Sequence, residues 1–252
     1  MSEVSSDLVF HFTNSLDTIM SILENGFRPG VAIEDIAFML PAHEDEINNG
    51  RKMTEVAIPM VCFTDIPLEL SSAHRKRYGK YGIGLSKKWA IEKGLNPVSY
   101  VVLNSGFWAA FNHLQFIITE DARIHSDKGI NDDRDHTLIN AVMNFAGYMK
   151  VYGEEERRQI FYDEREWRYL PPFRDTPRSQ YCNRLMPDDV YDEEKKRSLV
   201  DKMAERYMLM FDEPDLEKII IPRCESLKTV IKKLYAVKRL NPEALIRKIQ
   251  QV

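Results

Sequence analysis

A chain of 252 residues with 44% hydrophobic and 29% charged side chains can bury a substantial core and has the make-up of an ordinary globular protein. A formal net charge of −4 excludes a global basic field for nucleic acid or anionic lipid; the local patches Arg75-Lys76-Arg77 and Lys232-Lys233 with Lys238-Arg239 read first as solvated faces. Cys62, Cys182 and Cys224 are far apart and form no CxxC, which argues against a disulfide framework and a zinc site.

LVFHFT at Leu8–Thr13 reads as a strand, followed by a helix capped by Asn14 or Ser15, with an apolar stripe of Leu16, Ile19, Ile22 and Leu23 and Gly26 as its stop. Residues 31–55 are polar and mixed, an insertion with a short helix near Ile36–Leu40. Ala57–Thr64 is the second strand, 65–80 a weakly helical connector, and Tyr81–Ser86 the third strand. A short helix over Lys87–Lys93 stops at Gly94, and Pro97–Leu103 is the fourth strand. About 105–156 the pattern is helical, broken by the polar stretch Ser126–Asp135. Phe161–Pro171 is a strand rich in aromatics and closed by Pro171-Pro172, and 172–190 is loop. Asp192–Met210 is a helix, Leu216–Pro222 a buried strand, and helices follow at Ser226–Leu234 and from Pro242. One α+β domain over 1–252 accounts for this, with a helical insertion at about 105–156 and a strand–helix tail at about 191–252. The N-terminus has no basic stretch followed by an apolar one, and no run of about 18 apolar residues occurs, so the expectation is a reducing bacterial cytoplasm and no membrane.

Three places could carry chemistry. In FYDEREWRYLP a strand puts Glu164 and Glu166 on one face with Tyr162 and Arg168 beside them, and two neighbouring carboxylates repel unless the face is wet or the site needs the charge. His11 shares a strand face with Thr13; together they could offer an imidazole N–H and a hydroxyl to a ligand, although a lone strand histidine is more often structural. Tyr78-Gly79-Lys80-Tyr81-Gly82-Ile83-Gly84 packs three glycines and two tyrosines into seven residues, suited to a close backbone approach with ring stacking, or equally to a glycine-rich hairpin. No phosphate-binding loop, catalytic triad order, HExxH or calcium loop is present.

Taken together, HFT(x)nILENGF at 11–27, CFTDIPL with YGKYGIGLSKKWA at 62–90 and YDEREWRYLP at 162–171 resemble the AbiGi family of abortive phage-resistance proteins. The chain also resembles, more remotely, the ADP-ribosyltransferase-like superfamily. That resemblance implies a split β-sheet core with NAD as substrate. His11 and Thr13 would hold a ribose or the nicotinamide amide, with Tyr81 or Ser86 on the next strand and Tyr81 or Tyr78 stacking on the nicotinamide. Glu166 would stabilise the oxocarbenium-like charge, Glu164 would orient the acceptor as a proton-sharing partner, and Arg168 would pair a phosphate or hold Glu166. Two functions follow from the resemblances: transfer of ADP-ribose from NAD to an unknown acceptor, or a non-catalytic antitoxin module that binds a cognate partner protein. The first predicts that His11, a tyrosine from 78–81 and Glu166 line one cleft.

Overall fold

Leu8–Thr13 forms β1, and the Ser15 hydroxyl accepts the Thr18 backbone N–H at 3.1 Å, making Ser15 rather than Asn14 the cap of α1 (Leu16–Asn25). Gly26 ends α1 at φ 83°, a left-handed conformation open to glycine. The computed structural model describes residues 6–39, 47–48, 51–52, 54–129, 133–154, 159–171 and 191–252. The expected loop at 172–190, with Cys182, lies outside them.

The polar stretch after α1 corrects the first expectation. Gly30–Asp35 is a strand, β2, and residues 37–39 make only a turn where a short helix was expected. β2 pairs antiparallel with the N-terminal half of β3 (Glu55–Thr64), from Gly30 opposite Met60 to Asp35 opposite Glu55. A 3-10 turn at Leu68–Leu70 leads to α2 (Ser72–Tyr78), then to β4 (Tyr81–Ser86) and α3 (Lys87–Glu92), which is capped by Ser86. The fourth expected strand divides into β5 (Asn96–Pro97) and β6 (Ser99–Val101). Two helices follow, α4 (Gly106–Asp127) and α5 (Asp133–Gly147); the chain then returns to strand at β7 (Met149–Val151), parallel to β6.

β8 is Glu166–Tyr169 and α6 is Glu193–Tyr207. The C-terminal stretch supplies β9 (Leu216–Ile221), α7 (Leu227–Leu234), α8 (Pro242–Arg247) and an unexpected β10 (Ile249–Gln251). The fold is mixed α+β. Its main sheet has eight strands in the order β10-β9-β4-β1-β3-β8-β5, with β2 paired to β3; β9 and β10 run parallel and the other pairs antiparallel.

Strand alternation divides this sheet into two faces. Val9 of β1, Val61 and Phe63 of β3, and Ile83 and Leu85 of β4 enter one core with the inner stripe of α1, Trp89 of α3 and Val230 and Leu234 of α7; Trp167 and Tyr169 of β8 pack against it. Each such large apolar side chain contributes about 1.5–3 kcal/mol through burial. The opposite face carries Phe10 and Phe12 near β4, and Met60 and Cys62 of β3 under the α4–α5 pair.

The glycine-rich segment serves this packing. A Cβ on Gly82 would lie 2.7 Å from the Phe12 ring, and one on Gly84 2.8 Å from the Phe10 ring, so both glycines admit aromatics of their neighbouring strand. A Cβ on Gly79, at φ 136°, would stand 2.1 Å from the Thr13 carbonyl. What the glycines bring close is the chain's own β1.

Candidate functional site

The glutamate segment is built differently from the single strand its sequence suggests. Phe161–Glu164 coils into a 3-10 turn, Arg165 takes a left-handed conformation (φ 44°, ψ 49°), and pairing with β3 starts only at Glu166, opposite Thr64. Local bonds fix this turn: the Thr64 hydroxyl donates to the Glu164 carbonyl at 2.7 Å and the Asp65 N–H to the Arg165 carbonyl at 3.2 Å. A bulky residue in this region carries a strain of order 1–3 kcal/mol, held by the surrounding contacts.

Both carboxylates nevertheless reach one place, because Lys150, the middle residue of β7, lies between them. Its Nζ is 3.0 Å from Glu164 Oε2 and 3.5 Å from Glu166 Oε2. Arg168, fully buried, donates from Nε to Glu166 Oε1 at 2.8 Å and from Nη2 to Glu166 Oε2 at 3.1 Å. The same guanidinium reaches the Gly147 carbonyl at 2.8 Å and Glu34 Oε1 of β2 at 3.0 Å. Glu164 Oε1 accepts from Arg77 Nη1 and from the Tyr78 hydroxyl, each at 2.9 Å. The Tyr100 hydroxyl accepts the Glu166 backbone N–H at 3.0 Å. Carboxylates from β2, the 3-10 turn and β8 thus meet cations from α2, β7 and β8. Tyrosines form the outer rim: Tyr162 stacks with Tyr152 at 5.6 Å and meets Tyr100 edge-on at 5.4 Å.

The electrostatics follow from this arrangement. Burial pushes the Glu166 carboxyl up, but the charge and hydrogen bonds of Arg168, with Lys150, outweigh it and hold Glu166 below the ordinary carboxylate value. Burial lowers the Lys150 ammonium, yet the two glutamate charges leave it above its ordinary value. The Cys62 thiol, buried and donating to Glu166, is raised well above the usual range. Burial beside Glu164 raises the Tyr78 hydroxyl as well. A shared proton between Glu164 and Glu166 was the sequence expectation; a lysine occupies that bridging position instead.

Of the residues expected to line one cleft, the fold brings together Glu164, Glu166, Arg168 and Tyr78, and separates the rest. His11 projects from the other face of the sheet, where its ring meets Phe27 at 5.3 Å and Phe63 at 5.6 Å and its Nδ1 donates to the Cys62 carbonyl at 2.8 Å. It lines an open cleft of about 570 Å³ between α1 and α6, with Phe27, Val61 and Met208. Tyr81 also packs against that core and donates its hydroxyl to Glu225. Thr13 sits opposite Tyr81 in the β1–β4 ladder, and Ser86 spends its hydroxyl on the Trp89 N–H at 3.2 Å. The correction has one cause: His11 and Glu166 have opposite phase across the β1–β3–β8 register, so the sheet itself stands between them. These residues do not fit an NAD molecule placed as the resemblance implies.

Sequence reasoning missed Lys150, Glu34 and Tyr100. Glu34 had a weak signal, a carboxylate closing the short apolar run Val31-Ala32-Ile33; Lys150 had none beyond its place after a helix. Among the described residues no group of His, Cys, Asp and Glu could hold a metal ion, and no helix is long and apolar enough to cross a membrane.

His11 and His74 predict a pH dependence. Burial lowers both pKa values below the ordinary 6.5; the Cys62 carbonyl partly opposes this at His11, and Glu164 at His74. With folded values depressed, the unfolded chain takes up the protons first as pH falls. Their contribution is complete above about pH 6.5 and declines below it. Urea midpoints should therefore change little from pH 7.5 to 6.5 and fall from 6.5 to 5.5, and the combined substitution His11→Gln and His74→Gln should flatten that fall. An unchanged slope would contradict the assignment.

Residues 27–222 match the family model described as putative abortive phage resistance protein AbiGi, antitoxin. The chain belongs to the AbiGi family. A protein named abortive phage resistance protein AbiGi, from Lactococcus lactis subsp. cremoris, is 31% identical over 160 residues, 58% of this chain and 62% of that protein. The chain thus spans less than two thirds of the length of this relative. No solved structure matches it. The family match covers β2 through β9, and so the whole ion-paired cluster, but begins after β1 and leaves His11 outside.

Proposed function

We propose that this AbiGi chain is the non-catalytic, partner-binding component of an abortive phage-resistance system, and that its partner is a cognate toxin protein which it neutralises. The observation that carries this reading is the saturation of Glu166. Arg168 engages both of its oxygens and Lys150 sits against one. A glutamate that stabilises a developing oxocarbenium charge needs an oxygen free for the substrate ribose, and here both are committed within the fold. The cluster ties β2, β7 and β8 together, a structural role that the fold itself needs. The family's description as an antitoxin supports the same direction.

A second reading has its own observation. Tyr78, Glu164, Glu166 and Arg168 do converge beside the partly exposed rings of Tyr152 and Tyr162. Under that reading an ADP-ribosyltransferase-like sheet would present them to NAD, and ADP-ribose would pass to an unknown acceptor. The two separate in one assay. Purified chain with nicotinamide-labelled NAD, alone and with cell extract, is expected to release no nicotinamide above background. Release that Glu166→Gln abolishes would establish the transferase reading instead.

A further inference from the structure

α4 is apolar on two sides. Its inner side places Trp108, Phe111 and Ile118 against the core under the sheet, and the Trp108 indole donates to the Phe38 carbonyl at 2.8 Å. Among the described residues its outer side is left uncovered: Phe107 is 59% exposed, Leu114 54%, Ile117 45% and Ile124 38% along one strip, with Phe116, also 59% exposed, lying off it. An exposed apolar row of this length on one helix marks a contact surface.

The spacing of the row says what covers it. Phe107, Leu114 and Asp121 lie seven apart, as do Ala110, Ile117 and Ile124, and the two series interleave as the a and d positions of a coiled-coil seam. Along this helix the seam from Phe107 to Ile124 runs about 26 Å. The seam is complementary to itself in one orientation. Placed antiparallel about a two-fold axis between Leu114 and Ile117, it sets Phe107 against Ile124 of the second copy, Ala110 against Asp121, and Leu114 against Ile117. Large residues meet large ones, and the single carboxylate meets the smallest side chain. His113 then flanks Glu120 of the second copy, whose carboxylate also accepts from Arg123 of its own helix. A parallel pairing would bring the two Asp121 carboxylates face to face. Closed two-fold pairing is the commonest way for one surface to satisfy itself. We infer that α4 is a homodimerisation helix, joining two copies of this chain antiparallel through Phe107, Leu114, Ile117 and Ile124.

The test is the solution mass of the full chain by light scattering with analytical ultracentrifugation. The expected mass is twice the 29.4 kDa of one chain, with dissociation on dilution. Leu114→Asp, or independently Ile117→Asp, should weaken the dimer about 100-fold or more, because symmetry introduces the charge twice into an apolar seam. Both positions are exposed, and circular dichroism confirms that each variant is folded. His113→Lys should tighten the dimer a few-fold and His113→Glu loosen it by a similar factor, an opposition specific to the antiparallel register. A single-chain mass at tens of micromolar overturns the inference, as does a dimer indifferent to Leu114→Asp and Ile117→Asp. A monomer that pairs only with the toxin through this face also overturns it, and leaves the neutralisation reading standing.

Discussion

Arg168→Met should cost the fold about 3–5 kcal/mol, the range for removing one partner of a buried ion pair. The guanidinium is fully buried and serves Glu166, Glu34 and the Gly147 carbonyl at once. Its loss leaves Glu166 with only Lys150 and the Cys62 thiol, Glu34 without its guanidinium partner and a buried carbonyl without its donor. Most of the loss is the penalty of stranded charge rather than the net worth of the pair. Adding Glu166→Gln to Arg168→Met should therefore recover part of it, a coupling that a double-mutant cycle in urea measures. A single-variant loss below 1 kcal/mol, or no coupling, would contradict the arrangement. The cluster also sets an acid limit. The folded Glu166 value is depressed, so its stabilisation is complete above the ordinary carboxylate range and is lost as pH falls through the folded value.

Gly79→Ala should be of similar size, on the order of 3 kcal/mol or more, combining strained backbone with overpacking. At φ 136° an L-residue is strained, and the new Cβ would stand 2.1 Å from the Thr13 carbonyl carbon and oxygen. Neither group is the end of a flexible side chain, so β1 and the end of α2 would have to separate. Gly30→Ala, where a Cβ meets nothing within 4 Å, serves as the control and should change the urea midpoint little. Equal effects at the two positions would show that Gly79 does not hold this close approach.

Much of the framework was legible in the sequence because its signals are local. LVFHFT and YGIGLS read as strands with their observed ends, and Ser15, Gly26 and Gly94 punctuate helices as their chemistry dictates, while Ser86, read as a ligand contact, is instead the cap of α3. β2 was hidden because Gly30–Asp35 opens on Gly after Pro29 and closes on two carboxylates, and becomes a strand only through the long partner β3. The glutamate segment misled for a related reason. Its aromatics suit a strand throughout, while the left-handed Arg165 and the bonds from Thr64 and Asp65 to its carbonyls come from tertiary context. The pairing of Glu166 with Arg168 was readable two residues along a strand. The position of Lys150 was not, since it depends on how β7 returns beneath β8. The expected cleft failed on phase: neither HFT nor REWRY says which faces of two strands will coincide once β3 lies between them.

The central claim is that this AbiGi chain acts by holding a partner rather than by consuming NAD, and toxin co-expression tests it most directly. Cells carrying the cognate toxin would be scored for growth with the wild-type chain and with Glu166→Gln, which keeps an acceptor for the Arg168 N–H groups and removes the carboxylate charge. The expected result is full growth rescue by both, with both chains co-purifying with the toxin. A folded Glu166→Gln chain that still binds the toxin but no longer rescues growth would contradict the claim and assign the carboxylate a chemical role.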